Sequence, residues 1–377
     1  MSKPDETIAV LGAGQMGIAI AATFLKRRFA VTLFDLSRQA IETARERVEA
    51  ELLLQNTDSP GDVPDMLPLL CCTDSLADAC RASFVIESIT EKLRAKSKLY
   101  GQVVPQLDDS ALLVSNTSTI SIDTLAATLP GEENATQHFA SRFCGFHFFH
   151  PVRERSLVEI IRGRATSRET LERATRLVES VGKTPLVVND GPGFVVNRLL
   201  NAYLSGALQL LDEGATIRQI DAAAEQFGMA MGPFRIMDEI GLDVTLHGGW
   251  VLYKAFPERV EPSQILLELV RQDRLGRKTG SGFYRYESST MWASTGTDDE
   301  QLNAMIAEKA RDKRNGGKLP LPSLSDEMII DRLIGEMFRE GRRILDDGIT
   351  NSAADIELAA VLGLGFPKNR WGKKYGD

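Results

Sequence analysis

Short apolar runs alternate with helical patterns along the first half of the chain. Residues 7–11 and 30–35 are rich in β-branched and other apolar residues and predict two strands, each followed by a helical pattern. The first helical pattern covers residues 18–28, and the second runs from Ser37, a predicted N-cap, to about Asn56. Further strands are predicted at residues 69–72, 83–86, 111–115 and Phe143–Phe148. Strands that alternate with helices need crossover connections, so the predicted fold class is α/β, a doubly wound and largely parallel sheet covered by helices on both faces.

The second half of the chain has an almost wholly helical pattern. Gly191, Pro192 and Gly193 form a strong turn signal, and we place a domain boundary near residue 188. Helices are predicted beyond it at residues 195–212, 217–227, 234–241 and 242–255. Loops are predicted at residues 276–297 and 314–325, which are rich in residues that interrupt helices. The predicted organisation is a doubly wound domain at residues 1–187, a helical domain at 188–287 and a second helical domain at 288–377.

The last part of the chain repeats the middle part. A shift of residues 197–237 by 134 positions aligns the two parts without gaps. The matching pairs include Arg198/Arg332, Leu199/Leu333, Asp221/Asp355 and Pro233/Pro367. We interpret this pattern as a duplicated helical domain. Asn197 aligns with Asp331, so the two copies need not share the same chemistry.

Composition and charge exclude several classes of protein. The 377 residues are 43% hydrophobic and 25% charged, which is typical of a globular protein of two or three domains. The net charge of −8 disfavours a general nucleic-acid binder. No apolar stretch approaches the ~20 residues that a membrane span needs, and the first residues contain no apolar signal segment. The four cysteines form no CxxC pair, so we expect reduced thiols, a cytoplasmic location and no metal site.

A glycine-rich loop follows the first predicted strand and opens the first predicted helix. Gly12 permits a tight turn, Gly14 lets the backbone approach a pyrophosphate, and Gly17 allows close packing of helix against strand. Asp35 ends the second strand, where its carboxylate accepts hydrogen bonds from ribose hydroxyls and repels a 2′-phosphate. The pattern therefore predicts NAD rather than NADP. A flavin site and a βαβ unit without a nucleotide are the alternatives.

Two of the four histidines, His147 and His150, lie in one strand-like segment, and Glu159 lies in the apolar run that follows. Residues 147 and 159 are equally distant along the chain from Arg153. A near-symmetric hairpin therefore places the imidazole opposite the carboxylate. A carboxylate on one ring nitrogen fixes the tautomer, and the other nitrogen then takes a proton from a substrate hydroxyl. The alternative is a hydrogen-bonded core histidine beside an edge-strand glutamate.

Other polar residues have both a functional and an ordinary interpretation. Ser118 follows the strand at 111–115, where ligands bind parallel sheets, but it is also a candidate helix N-cap. Asn197 lies early in a predicted helix among apolar neighbours, either facing a cleft or on the surface. The charge run at residues 91–98 is typical of a solvated helix face. Arg277-Lys278 indicates either a phosphate contact or a basic loop.

Taken together, these motifs resemble those of the L-3-hydroxyacyl-CoA dehydrogenase family, especially the dehydrogenase part of multifunctional fatty-acid oxidation enzymes. The matching segments, in family order, are Val10-Leu-Gly-Ala-Gly-Gln-Met-Gly17, Val85-Ile-Glu-Ser-Ile-Thr-Glu91, Ser115-Asn-Thr-Ser-Thr-Ile120, Gly145-Phe-His-Phe-Phe-His-Pro151, Leu157-Val-Glu-Ile-Ile161, Asp190-Gly-Pro-Gly-Phe-Val-Val-Asn-Arg198, Met231-Gly-Pro-Phe234 and Gly276-Arg-Lys-Thr-Gly-Ser-Gly-Phe-Tyr284. The repeat at 326–372 resembles the second C-terminal domain of the multifunctional enzymes. Their hydratase half has no counterpart in these 377 residues, so hydratase activity is not predicted.

The resemblance implies a role for each matching residue. It makes His147 the general base and Glu159 its orienting partner, and it places Ser118 and Asn197 at the reacting oxygen of the substrate. The residues that it implies for the cofactor, besides the three glycines and Asp35, are Gln15, Met16, Glu91, Lys96, Ser118, His150 and Lys278. Glu91 and Lys96 are expected at the nicotinamide. The family usually has asparagine where this chain has His150, so we expect altered NAD affinity or pH dependence.

The resemblance also implies an activity and partners. We expect NAD-dependent oxidation of an L-3-hydroxyacyl-CoA to the 3-ketoacyl-CoA. The alternatives are a dehydrogenase of a small hydroxy acid without CoA, and a scaffold that kept the dinucleotide fold without turnover. The first helical domain dimerises in the family, so we expect a monomer whose second copy forms an internal pseudo-dimer. A separate hydratase or thiolase is a candidate partner.

Overall fold

The chain divides into two units, Met1–Gly191 and Pro192–Asp377, in the computed structural model. The structure describes residues 6–56, 59–131, 138–287, 296–313, 324–368 and 370–371. Each unit is described by itself below. Of the predicted loop at 314–325, residues 314–323 lie outside the described residues.

The first unit contains an eight-stranded sheet. Its strands are β1 Ile8–Leu11, β2 Val31–Phe34, β3 Leu70–Thr73, β4 Phe84–Glu87, β5 Leu112–Ser115, β6 Phe143–Phe148, β7 Leu157–Arg162 and β8 Thr184–Asn189. Their order is β3-β2-β1-β4-β5-β6-β7-β8, and every adjacent pair is parallel except the β6–β7 pair. The predicted α/β class and the largely parallel doubly wound sheet are confirmed. Ligand-binding loops in such sheets lie at the carboxyl ends of the strands.

Helices of the first unit follow the strands along the chain. They are α1 Gln15–Lys26, α2 Arg38–Gln55, α3 Leu76–Ala79, α4 Leu93–Val103, α5 Ile122–Ala126 and α6 Arg168–Ser180. Ser37 caps α2 as predicted, since its side chain accepts a hydrogen bond from the Ala40 amide. The strands β1, β4 and β5 are buried along their whole length, because the sheet carries a layer on both faces.

The last strand of the sheet, β8, was not predicted. Its residues Thr184–Asn189 pair in parallel with β7, up to the pair Arg162 and Asn189. The strand includes Pro185 and leaves Val187 39% exposed, which is typical of an edge strand. The boundary between the two units therefore falls after Gly191, whereas the prediction placed it near residue 188.

The second unit is helical in its described residues. Its helices are α7 Val196–Asp212, α8 Ile217–Phe227, α9 Pro233–Ile240, α10 Leu242–Ala255, α11 Gln264–Arg271, α12 Glu300–Lys313, α13 Asp326–Asp346, α14 Ala353–Leu358 and a π-helix at Ala359–Gly363. The four helices predicted at 195–255 agree with α7–α10 to within one residue at either end. The apolar residues at 227–237 belong to the core, since Phe234 and Met237 are fully buried.

Equivalent helices of the two repeated segments, α7 and α13, pack against each other. Arg198 forms an ion pair with Asp347 at 2.8 Å, and Arg332 forms one with Glu213 at 3.0 Å. The shift of 134 residues that aligns the repeats maps the first pair onto the second. Reciprocal contacts of this kind characterise two copies of a structure that are related by a two-fold axis.

Two further properties concern ligands and membranes. Within the described ranges, no helix is long and apolar enough to span a membrane. In the same ranges, no three His, Cys, Asp or Glu side chains converge as ligands of a metal ion. The four cysteines are free thiols.

Candidate active site

The glycine-rich loop connects β1 to α1 at the carboxyl end of the sheet. Gly12 has φ +113°, and a Cβ atom there would lie 2.5 Å from the Ser88 carbonyl oxygen. A Cβ on Gly17 would lie 1.8 Å from the Gly12 carbonyl oxygen. Gly14 differs from both, because a Cβ there would meet no protein atom within 4 Å. Gly12 and Gly17 are thus required by the fold, whereas the open space at Gly14 fits a bound pyrophosphate.

The amino end of α1 supplies donors for that pyrophosphate. No side chain caps this end at Gly14, and the first turn carries no acidic residue. Uncapped amides and the positive end of the helix dipole favour an anion. The residues present therefore fit a dinucleotide.

Asp35 connects the second strand to the glycine-rich loop. Its Oδ2 accepts a hydrogen bond from the Ala13 amide and its Oδ1 accepts one from the Ser37 amide, both at 2.8 Å. Arg47 donates to the Ala13 carbonyl oxygen at 2.8 Å from the other side. The carboxylate is partly exposed, and a carboxylate has further acceptor sites beyond these two hydrogen bonds, which suit ribose hydroxyls.

His147 and Glu159 are paired residues on the antiparallel strands β6 and β7. The imidazole Nδ1 lies 2.7 Å from Glu159 Oε2, and the exposed fractions of the two residues are 3% and 0%. The predicted hairpin geometry is confirmed. A carboxylate oxygen accepts hydrogen bonds, so Nδ1 is the donor in this contact, and the carboxylate fixes the orientation of the ring and of Nε2.

Asn116 is a site residue that the sequence reasoning missed. Its side-chain Oδ1 accepts a hydrogen bond from the Phe148 amide at 3.0 Å, and its Nδ2 donates to Ser88 Oγ at 3.2 Å. It thereby links the loops after β4 and β5 to the strand residue that follows His147. A polar residue directly after a buried strand was the available signal.

Ser118 lies in the loop after β5, and Glu91 holds this loop. Glu91 Oε1 accepts hydrogen bonds from the Thr117 hydroxyl at 2.7 Å and from the Ser118 and Thr119 amides at 2.9 and 2.8 Å. Burial acts to raise the pKa of Glu91, but the Lys96 ammonium and these hydrogen bonds hold it below its usual value. The N-cap of α5 is Ser121, so the alternative role of Ser118 as a helix cap is wrong.

Lys96 corrects one interpretation of the sequence. The charge run at 91–98 was expected to be a solvated helix face, but Lys96 is fully buried. Its ammonium contacts both oxygens of Glu87, at 2.7 and 2.9 Å, and Glu91 Oε2 at 3.3 Å. The direct contact of Lys96 and Glu91 with a nicotinamide stays a prediction.

Gln15 and His150 lie together near the start of α1. The Gln15 amide nitrogen is 3.3 Å from His150 Nε2. Partial burial, aided by the Arg153 guanidinium, holds the pKa of His150 below its usual value, so the neutral ring is able to accept this hydrogen bond. Met16, the next residue of the helix, packs partly buried against the core of the unit.

Two predicted site residues, Asn197 and Lys278, belong to the second unit. Asn197 lies in the first turn of α7, and Lys278 Nζ lies 2.5 Å from Asp243 Oδ1. Their roles stay predictions. Arg277 is buried, contacts Glu239 at 2.6 Å and stacks on the Tyr286 ring at 4.2 Å. The phosphate-contact interpretation is therefore wrong for Arg277.

Comparisons with known proteins match these features. Residues 7–191 match the family model of the 3-hydroxyacyl-CoA dehydrogenase NAD-binding domain, and residues 193–286 match that of the 3-hydroxyacyl-CoA dehydrogenase C-terminal domain. A curated relative, the fatty acid oxidation complex subunit alpha of Psychrobacter sp., is 33% identical over 369 residues, which are 97% of this chain and 49% of the relative. The chain thus spans about half the length of this relative.

Solved structures show the same likeness. The 3-hydroxybutyryl-CoA dehydrogenase of Escherichia coli superposes with a TM-score of 0.81 at 26% identity, over 96% of this chain and 89% of that chain. The (S)-3-hydroxybutyryl-CoA dehydrogenase of Ralstonia eutropha superposes with a TM-score of 0.70 at 34% identity, over 75% of this chain and 99% of that chain.

Proposed function

Because the chain belongs to the 3-hydroxyacyl-CoA dehydrogenase family, we propose that it catalyses the NAD-dependent oxidation of an L-3-hydroxyacyl-CoA to the 3-ketoacyl-CoA. The observation that carries this proposal is the buried pair of His147 and Glu159, 2.7 Å apart on adjacent strands. A general base for an alcohol needs a neutral imidazole in a fixed tautomer, with a partner for the charge that forms. The contact between the two side chains supports the proposal, because the Glu159 carboxylate orients the imidazole and lies beside the charge that would form.

His147 Nε2 takes the proton of the C3 hydroxyl, and Glu159 stabilises the resulting imidazolium through Nδ1. Bound NAD supplies the acceptor for the hydride that leaves C3. The low exposure of both residues strengthens their interaction and excludes bulk water from it. General-base assistance of this kind contributes about 10²–10⁴-fold to the rate.

The remaining roles are part of the same proposal. Ser118 and Asn197 hydrogen-bond the reacting oxygen of the substrate. Glu91 and Lys96 would contact the nicotinamide side of bound NAD, and Lys278 would also approach the cofactor. Gly14 and Asp35 would hold the pyrophosphate and the adenine ribose, which is supported by the open space at Gly14 and the partial exposure of Asp35.

The activity is tested by absorbance at 340 nm with acetoacetyl-CoA and NADH, and then with NADPH and with free acetoacetate. We expect NADH loss with the thioester alone. Loss with free acetoacetate would favour the dehydrogenase of a small hydroxy acid. No loss with any pairing, nor with a longer 3-ketoacyl-CoA, would indicate a scaffold without turnover.

Replacing the base tests the mechanism. We expect His147→Gln to lower kcat at least about 10²-fold, because general-base assistance is lost, with little change in the Kd of NADH. His138→Gln is the matched control, since His138 is an exposed histidine of the same unit. Near-normal turnover by His147→Gln would contradict the assignment.

We further propose that the protein is a monomer in which the second helical copy replaces a partner subunit. The reciprocal ion pairs of Arg198 with Asp347 and of Arg332 with Glu213 support this proposal. Light scattering at micromolar concentration is expected to give the mass of one chain, 41.5 kDa. An obligate dimer would refute it. A separate hydratase or thiolase partner and a cytoplasmic location stay predictions.

A further inference from the structure

A cluster of four polar side chains is fully buried where β4 and β5 end. Glu87 and Ser115 are the last residues of the two strands and lie side by side in the sheet. Lys96 and Tyr100 lie one turn apart on α4, on the face turned toward these strand ends. Each of the four residues is 0% exposed. Burying a carboxylate and an ammonium is costly, and an apolar core would serve stability as well, so the cluster calls for a role of its own.

The Glu87 carboxylate is held by five hydrogen bonds. Its Oε1 accepts from Lys96 Nζ at 2.7 Å and from the Ile89 amide at 2.8 Å. Its Oε2 accepts from Lys96 Nζ at 2.9 Å, the Tyr100 hydroxyl at 2.9 Å and the Ser115 hydroxyl at 2.6 Å. Burial, together with the Glu87 charge, raises the pKa of Tyr100 far above its usual value, so this phenol stays a donor. The carboxylate and the ammonium therefore have one fixed geometry.

Lys96 connects the buried cluster to Glu91, a partly exposed residue. Its ammonium also contacts Glu91 Oε2 at 3.3 Å, and the Glu91 side chain is 29% exposed. The other oxygen of Glu91 accepts from the amides of Ser118 and Thr119, and from the hydroxyls of Thr117 and Thr119. The contacts form one continuous series from Glu87 through Lys96 and Glu91 to the loop that carries Ser118.

We propose that Glu87 is a positioning residue of the dehydrogenase site, which acts through Lys96 and Glu91 on the loop at residues 116–119. The proposal rests on the proposed function for its effect on turnover, but its structural part does not. Without the Glu87 charge, Lys96 loses two of its three carboxylate contacts and no longer fixes Glu91. The Ser118 and Thr119 amides then lose a fixed acceptor.

The test compares Glu87→Gln with Glu6→Gln. Glu6 is a matched control, because it is a partly buried carboxylate at the opposite, amino end of the same strands, where it contacts Arg173 at 2.6 Å and the Ser83 hydroxyl at 2.5 Å. We expect Glu87→Gln to raise hydrogen–deuterium exchange in residues 116–121 at least tenfold and to lower kcat at least tenfold. Glu6→Gln is expected to change neither, even where it lowers the melting temperature. A folded Glu87→Gln with wild-type exchange and turnover would overturn the proposal.

A double-mutant cycle with Glu91→Gln tests the route of the effect. If Glu87 acts through Glu91, the double variant has a kcat within about twofold of Glu91→Gln alone. Losses that multiply would show that Glu87 does not act through Glu91. If Glu87→Gln does not fold, Tyr100→Phe is used in its place in both experiments. This variant removes one hydrogen-bond donor from the same carboxylate. If the wild type lacks turnover, the proposed function fails, and the exchange measurement still decides whether Glu87 positions the loop.

Discussion

Gly14 is the position at which cofactor binding can be separated from folding. Its φ of −70° and ψ of −176° are open to any residue, and an added Cβ meets no protein atom within 4 Å. Alanine there lowers the entropy of the unfolded chain, which stabilises by about 0.4–1 kcal/mol, but it is a poorer N-cap than glycine by a similar amount. We therefore expect Gly14→Ala to leave the free energy of unfolding within about 1 kcal/mol of wild type.

In the proposed cofactor site, the same methyl group would stand where the pyrophosphate approaches the backbone amides of α1. Losing one charge-assisted hydrogen bond costs about 1.5–3 kcal/mol. We therefore expect the Kd of NADH to rise roughly 10- to 100-fold, measured by titration of NADH fluorescence. Denaturant unfolding of the same samples gives the stability.

Gly17→Ala is the contrasting variant for this prediction. Its Cβ would lie 1.8 Å from the Gly12 carbonyl oxygen, so we expect a loss of about 3 kcal/mol, the upper end of overpacking costs. A Gly14→Ala variant that binds NADH as tightly as wild type would refute the placement of the pyrophosphate. A Gly14→Ala variant that unfolds would refute the open space.

Two pH dependences follow from groups whose pKa values are shifted. As the pH falls through the lowered pKa of His150, the ring charges and can no longer accept the Gln15 hydrogen bond. His150→Asn is therefore expected to weaken the dependence of the NADH Kd on pH between pH 5 and 8. Identical pH profiles for the variant and wild type would contradict this. The charged groups that act on the pKa of His150 are Glu51, Arg153, Glu154 and Arg155. Burial raises the pKa of Asp221 to about 7, so the folded state keeps a proton that the unfolded state releases near pH 4, and stability falls as the pH rises between these values. We expect wild type to lose about 2–3 kcal/mol between pH 5 and pH 8 relative to Asp221→Asn. All three tryptophans lie in the second unit, so urea unfolding followed by their fluorescence measures this loss, and equal slopes would refute it.

The parts of the fold that the sequence predicted well depend on local patterns. The α8 helix was predicted to the residue, because Thr216 caps it and its apolar residues repeat with helical spacing. The register of His147 with Glu159 was predicted because both lie equally far from the turn. A strand with a half-exposed face and a proline, as in β8, gives no comparable pattern.

The site residues that were missed or misjudged depend on partners far along the chain. The charge run at 91–98, which contains Lys96, was interpreted as a solvated face because its charged residues are neighbours in sequence, whereas the partner of Lys96, Glu87, ends a different element. Arg277 likewise has Glu239 as its partner, 38 residues away. Asn116 acts by joining three strand ends, and the order of strands in the sheet decides which ends meet. Periodicity carries no information on such pairings.

The reciprocal ion pairs between α7 and α13 lie within a single polypeptide. In a homodimer, each substitution at such an interface would appear twice, and the association would weaken on dilution. In a tandem copy, each substitution appears once, and the linker keeps the effective concentration of the partner high at any dilution. One copy is then free to keep Asn197 while the other carries Asp331 at the equivalent place.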